Sequence, residues 1–323
     1  MTTFKEIRGT AIESVSTDPS NPEVGQIWYN NTIGVLKGYQ LVADAWAAGG
    51  NLGTARYYIT GAGTQTAGLG FGGQVPVTTA TEEYDGSAWA AGGALGTGRA
   101  GMGGCGIQTA GLGFSGYGPP GNGRRLLTEE YDGSTWSGGG NVATAVNFLA
   151  GAGIQTAGLK FGGQLQPGPA TQSTEEYDGS TWAGGGNLTS ATYAIAGCGT
   201  QTAGLGFGGY NPSLTSTTLE YDGSAWTAGG NLNTSRAFLA GAGTQTAGLA
   251  FGGATPTATG ATEKYDGTSW TTSPASMATT RASLGGAGTQ TAGLGFGGLS
   301  PSTTAATEEF TGAFLSTKKI TTS

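Results

Sequence analysis

One five-residue word, Gln-Thr-Ala-Gly-Leu, occurs six times in this chain, with its glutamines at positions 65, 108, 155, 201, 245 and 290. The intervals are 43, 47, 46, 44 and 45 residues. A period near 45 is what four short strands and their turns consume, so each period is one small sheet that buries its faces only by stacking on its neighbours. The array therefore counts as one cooperative unit, although 323 residues would otherwise suggest about two domains.

Further residues keep step with the word. Nine residues before each glutamine stands Arg56, Arg99, Val146, Thr192, Arg236 or Arg281, and three residues after that position stands Ile59, Met102, Leu149, Ile195, Leu239 or Leu284, which reads as a core-facing site. Downstream come Phe71-Gly72-Gly73, then Thr81 to Trp89 (TEEYDGSAW), with later copies of the tryptophan at 136, 182, 226 and 270. In Ala247 to Gly253 the side chains alternate, placing Ala247, Leu249 and Phe251 on one face and Gly248, Ala250 and Gly252 on the other. Glycine inside a strand marks close approach by another body. The expected body is the neighbouring sheet, with its tyrosine and tryptophan rings lying on the bare face. Each Asp-Gly between strand residues predicts a hairpin turn.

The order arginine, apolar strand, glycine pair, tyrosine, tryptophan resembles the kelch repeat over roughly residues 40 to 310. Phe71-Gly72-Gly73, Tyr84 and Trp89 occupy the motif's positions in the first copy. The chain departs from the pattern where Ala-Gly-Leu-Gly-Phe stands in place of bulky residues before the glycine pair. The resemblance implies an all-β fold, a six-bladed kelch-like β-propeller of four-stranded blades. Trp46, followed by AAGGNLGTAR, has the context of a blade's last strand, whereas the sixth copy runs to Phe310-Thr311-Gly312 without a tryptophan. The N-terminal strand is thus expected to complete the C-terminal blade, closing the ring and removing open edges. The alternative is that Phe314 or Leu315 supplies that last strand. The domain reading is an N-terminal attachment segment and hairpin over 1–38, the propeller over 39–310 and a surface tail over 311–323. Within the first part, Gln26 to Tyr29 and Ile33 to Tyr39 read as the hairpin.

Composition narrows the function classes. Glycine, 66 of 323 residues, is too sparse for collagen and lacks its period. The net charge of −7 argues against nucleic acid or anionic membrane as partner. The first thirty residues carry no apolar signal region and no run is long enough to span a bilayer, so neither a signal peptide nor membrane insertion is expected. Cys105 and Cys198 occupy the same repeat position and read as small buried thiols.

The absence of histidine excludes histidine triads and the usual zinc or copper sites, including a copper centre of the kind known on one kelch propeller. No metal and no cofactor are expected. The TEEY strands place ten glutamates in near-identical settings, a poor basis for an acid and a nucleophile that need different environments. For Arg56, Arg99, Arg236 and Arg281 two readings are open: a ring of guanidinium groups that clamps a carboxylate or sulfate sugar, or pairing with the TEEY glutamates, which repeat in step. The tyrosines and tryptophans read as packing between blades.

Only the segment between the glycine pair and the TEEY strand varies freely, with seven residues in the first copy, eleven in the second, ten in the third and eight in the rest. It emerges on the same face as the GGNL loops, and a diverse face is the expected recognition face. Tyr117, Arg124, Arg125, Gln164, Gln166, Tyr210 and Asn211 are the candidates for ligand or partner contact. Residues 21 to 39, NPEVGQIWYNNTIGVLKGY, resemble N-terminal segments of fibre and other virion proteins of marine tailed bacteriophages. That likeness implies a non-enzymatic virion component, a tail fibre or adhesin located in the particle. It would be attached to other virion proteins through Phe4, Ile7, Ile12, Trp28 and Tyr29, probing a host-surface glycan and homo-oligomeric. The alternative is a purely structural decoration subunit, and a glycan-cleaving enzyme is a third.

Overall fold

The computed structural model describes residues 12–121, 123–166 and 168–320, so Phe4 and Ile7 lie outside the described residues. It contains no helix among these residues. Each repeat folds into a four-stranded antiparallel sheet, and the fold is all-β and propeller-like. In the first repeat the strands are Thr60–Thr64, Ala67–Phe71, Thr81–Tyr84 and Trp89–Ala91, paired in sequence order. The Tyr-Asp-Gly turn holds four residues, with Tyr84 opposite Trp89. Asp85 Oδ1 accepts hydrogen bonds from the backbone N–H groups of Ser87 and Ala88, which is the local chemistry that makes Asp-Gly a turn signal. At the end of the second strand Gly72 and Gly73 adopt φ of +64° and +108°, conformations glycine reaches without penalty.

The sheet of the sixth repeat takes its outer strand from elsewhere in the chain. Ala45–Ala48 pairs with Thr307–Thr311, placing Trp46 opposite Phe310. The tail does something else. Phe314–Lys319 pairs with Val35–Val42 in a separate four-stranded sheet that also holds Ile27–Asn30 and Glu13–Val15. Two compact units result, residues 1–44 with 312–323, and residues 45–311. The boundaries drawn from the repeat at 38/39 and 310/311 thus shift to 44/45 and 311/312. The tail is a strand of the first unit, paired along the edge of Val35–Val42 from Phe314 to Lys319.

Contact between neighbouring repeat sheets is made by the repeated word itself. A Cβ on Gly111 would lie 2.7 Å from Leu69 of the preceding copy, and the same holds between Gly158 and Leu112, Gly204 and Leu159, Gly248 and Leu205, and Gly293 and Leu249. Gly68 of the first copy stands in this relation to Leu294 of the last. In four copies phenylalanine lies on the next glycine of the strand, as Phe296 does on Gly70 and Phe71 on Gly113, and the third and fifth copies have Lys160 and Ala250 at that position. The rings expected on the glycine floor were tyrosine and tryptophan; leucine and phenylalanine lie there instead. The indoles pack on those phenylalanines, Trp136 on Phe71 at 4.9 Å and Trp182 on Phe114 at 4.9 Å. Each indole also donates to a threonine of the preceding sheet, as Trp136 does to Thr81.

Glutamine of the word adds a polar clasp. Gln108 Nε2 donates to the carbonyls of Gly68 and Tyr84 in the preceding sheet, and Gln155, Gln201, Gln245 and Gln290 repeat the bond one sheet further on. Gln65 makes it to Gly293 and Phe310 of the last repeat.

Buried arginines complete each sheet. Arg236 is fully buried; its Nη1 donates to the carbonyls of Gly252 and Ala261, and its Nη2 lies 2.9 Å from Glu263. Arg56, Arg99 and Arg281 pair in the same way with Glu82, Glu129 and Glu308, so the pairing reading holds for all four. Where the arginine position holds Val146, the cation comes from a different strand: Lys160 reaches Glu175 at 2.6 Å. Where it holds Thr192, the facing glutamate is replaced by Leu219. Neither charge is left buried alone, which is the costly state.

Arg236→Ala should therefore destabilise by about 3–5 kcal/mol, because Glu263 would stay buried without its partner. The double variant Arg236→Thr with Glu263→Leu, which copies the fourth repeat, should recover most of that loss in urea denaturation.

Tyrosine hydroxyls join the sheets by a second route. Tyr84 donates to Glu309 at 2.5 Å, and Tyr131, Tyr177, Tyr221 and Tyr265 donate to Glu83, Glu130, Glu176 and Glu220 of the sheet before them. Burial first, then the glutamate bond, pushes all five phenols up to about 12. A folded value above the unfolded one favours the protonated phenol in the fold, so this stability is intact below pH ~10 and is lost as pH rises through 12. Ultraviolet titration of the twelve tyrosines should show a late tyrosinate step that coincides with unfolding.

Candidate functional site

One residue ahead of each innermost strand stands a dipeptide that differs in every copy: Tyr57-Tyr58, Ala100-Gly101, Asn147-Phe148, Tyr193-Ala194, Ala237-Phe238 and Ala282-Ser283. The second residue of each pair adopts a left-handed backbone, with φ between 52° and 59° at Tyr58, Gly101, Phe148, Ala194, Phe238 and Ser283. For five non-glycine residues this conformation costs about 1–2 kcal/mol apiece. Their amides offset it by bonding to one another. Gly101 N–H donates to Tyr58 C=O, Phe148 to Gly101, Ala194 to Phe148, Phe238 to Ala194, Ser283 to Phe238 and Tyr58 to Ser283, at 2.7–3.0 Å. The six bonds form a circuit in which each sheet holds the next.

Inside the circuit large and small residues alternate. The rings of Tyr58, Phe148 and Phe238 meet at centroid distances of 4.6, 5.7 and 5.4 Å. Gly101, Ala194 and Ser283 take the positions between them, since six rings would not fit. Together they bound a cavity of about 100 Å³, and the inner strands line a further cavity of about 130 Å³.

The first residue of each dipeptide bridges to the start of the variable segment: Tyr57 to Gln74, Ala100 to Tyr117, Asn147 to Gln164, Tyr193 to Tyr210, Ala237 to Ala254 and Ala282 to Leu299. Repeats one to four thus present tyrosine, glutamine and asparagine around this mouth, and repeats five and six present alanine and leucine. The face has a polar aromatic part of four repeats and a bland part of two, a difference that the packing of the sheets does not require.

Of the predicted contact residues, Tyr117, Arg124 and Gln164 come together here. Tyr117 and Arg124 are cross-strand partners in the hairpin Tyr117–Gly118 with Gly123–Arg124, so their side chains share a face. Tyr117 hydroxyl donates to Gln74, and burial raises its phenol. Arg124 Nε donates to Asn147 Oδ1 at 3.0 Å and to the Gln164 carbonyl, and Nη2 donates to Gln164 Oε1 at 3.2 Å. Tyr210 packs against Tyr193 with ring centroids 5.3 Å apart and the planes tilted by 50°. Arg125 turns inward to clamp its own hairpin through the carbonyls of Gly118 and Pro120. Gln166 is exposed, and the Asn211 backbone N–H closes a local turn on Ser213.

Sequence reading missed Tyr57, Tyr58, Gln74, Asn147, Phe148 and Tyr193. The available signal was the divergence of two positions set just before one that is always a large aliphatic residue. In the other unit, Ile12 and Tyr29 are exposed, whereas Trp28 is fully buried with its indole donating to Asp18 at 3.0 Å. Trp28 is therefore core of that sheet and presents no docking surface. Cys105 and Cys198 are buried, and burial pushes both thiols up to about 12.

A fourth ring should not be accommodated at the mouth. A Cβ on Gly101 would sit 2.9 Å from Phe148 in a left-handed backbone. Gly101→Phe should lose about 3 kcal/mol in chemical denaturation, and Gly101→Asn, which tolerates that backbone, clearly less.

A scan against protein-family models finds no match to this chain, and a search of curated proteins finds no similar sequence.

Proposed function

We propose that residues 45–311 close as a six-bladed β-propeller whose tyrosine-lined mouth binds a saccharide of a host-cell surface. On this reading the chain is a non-catalytic virion component of a tailed phage, of tail-fibre or adhesin type, joined to other virion proteins through the unit that contains its N-terminal segment. Closure is supported by the amide circuit, by Gln65 bonding to the last repeat, and by the outer strand that Ala45–Ala48 supplies to the sixth sheet. The propeller is the array in which every glycine floor is covered.

The observation that carries the binding reading is the restriction of tyrosines and amides to four consecutive repeats at one end. Aromatic faces match the C–H faces of sugar rings, and planar amides match their hydroxyl pairs. The virion assignment rests on the likeness of the N-terminal words to phage fibre segments.

Binding of the full chain to an array of bacterial surface polysaccharides tests it. Tyr193→Ala and Tyr210→Ala should each weaken a bound glycan by roughly five- to tenfold, because stacking is worth about 1 kcal/mol or more. Silence across the array would leave the decoration-subunit role, and release of shortened product would mark a glycan-cleaving enzyme.

A further inference from the structure

Apart from the four buried, paired arginines, the only charged residues in the connections at the mouth end are Arg124 and Arg125. The opposite turns carry Asp85, Asp132, Asp178, Asp222 and Asp266. In the connections of the repeat region, positive charge without a carboxylate partner thus lies at one end and acidic turns at the other. Among the described residues, neither Arg124 nor Arg125 makes an ion pair with a carboxylate, unlike the arginines beneath them.

Arg124 is also oriented. Its Nε and Nη2 are held by the amide oxygens of Asn147 and Gln164, and its Nη1 carries no hydrogen bond among the described residues. Tyr117 stands beside it as cross-strand partner. A guanidinium held on one edge by neutral amides keeps its full charge and offers its other edge, whose paired N–H groups fit two oxygens of one oxyanion.

Building on the saccharide reading above, we propose that the mouth selects acidic saccharides. Arg124 takes the carboxylate or sulfate group, and Tyr117, with the Tyr193 and Tyr210 pair, takes the sugar rings. The two oxyanions share one chemistry at Arg124 and are separated by experiment.

The full chain is titrated calorimetrically with oligogalacturonate, a sulfated carrageenan oligosaccharide and a neutral malto-oligosaccharide, each at low and high salt. One or both acidic probes should bind more tightly than the neutral one, with an advantage that shrinks in high salt. Arg124→Gln should weaken the acidic probe about tenfold or more and the neutral probe far less, and Arg124→Lys should recover part of the loss. Should Arg124→Gln lower the melting temperature, Gln164→Ala reads the same contact by releasing the guanidinium. Equal binding of acidic and neutral probes, or an acidic affinity indifferent to these substitutions, overturns the proposal. Tyrosine-dependent binding of the neutral probe alone overturns it while leaving the saccharide reading intact. A chain that binds no probe and no surface polysaccharide removes both.

Discussion

Each sheet of the repeat region leaves part of one face without side chains, and the leucine and phenylalanine of the sheet before it lie on that bare backbone. The rest of the structure depends on this contact. It brings neighbouring sheets close enough for glutamine to reach two carbonyls across the boundary and for each indole to find a threonine. A single methyl group on the floor would collide with Leu69 or its equivalents, so the glycines of the word are a steric requirement. The word repeats because it is its own partner. Its glycine receives the preceding copy's leucine, and its glutamine bonds to the preceding copy's glycine.

Buried polar groups within and between the sheets obey a second constraint: they change in pairs. Lys160 serves Glu175 where arginine is absent, and Thr192 accompanies Leu219 where the carboxylate is absent. Phe310, which lacks a hydroxyl, faces a position held by Lys264 where the other repeats hold glutamate. In each case a lone substitution would strand a buried charge or donor, at a cost of several kcal/mol that a shared change avoids. The repeats are therefore equivalent in energetics while differing in chemistry.

Variation without such pairing is concentrated at the mouth. There the backbone circuit holds six residues in the left-handed conformation, and the side chains are limited only by the space inside. Alternation of rings with glycine, alanine and serine follows from that space. Restriction of tyrosine, glutamine, asparagine and Arg124 to the first four repeats does not, which makes this face the place where a ligand is to be sought.

Much of the fold was legible in the sequence, because its determinants are local and recur. The period near 45 announced four short strands, Asp-Gly their turns, the small residues a close approach, and the arginines and glutamates in step an ion pair. Glutamine contacts, by contrast, had no local signature, since their acceptors are backbone carbonyls a full repeat away. The occupant of the glycine floor was read as tyrosine and tryptophan because periodicity places residues on a face without saying which neighbour leans furthest across. The course of the tail and the burial of Trp28 depended on strand pairing between the two chain ends. The mouth was half visible: the varying segments pointed to Tyr117, Arg124 and Gln164, but Tyr57, Asn147 and Tyr193 join them only through bridges across some seventeen residues. By itself the sequence determined the repeating sheet, its turns and its paired buried charges, because those rest on short spacings or on residue types that recur in step. Only the tertiary structure decided which side chains meet at the mouth and which end strands pair, because those contacts join residues whose separation in the chain carries no pattern.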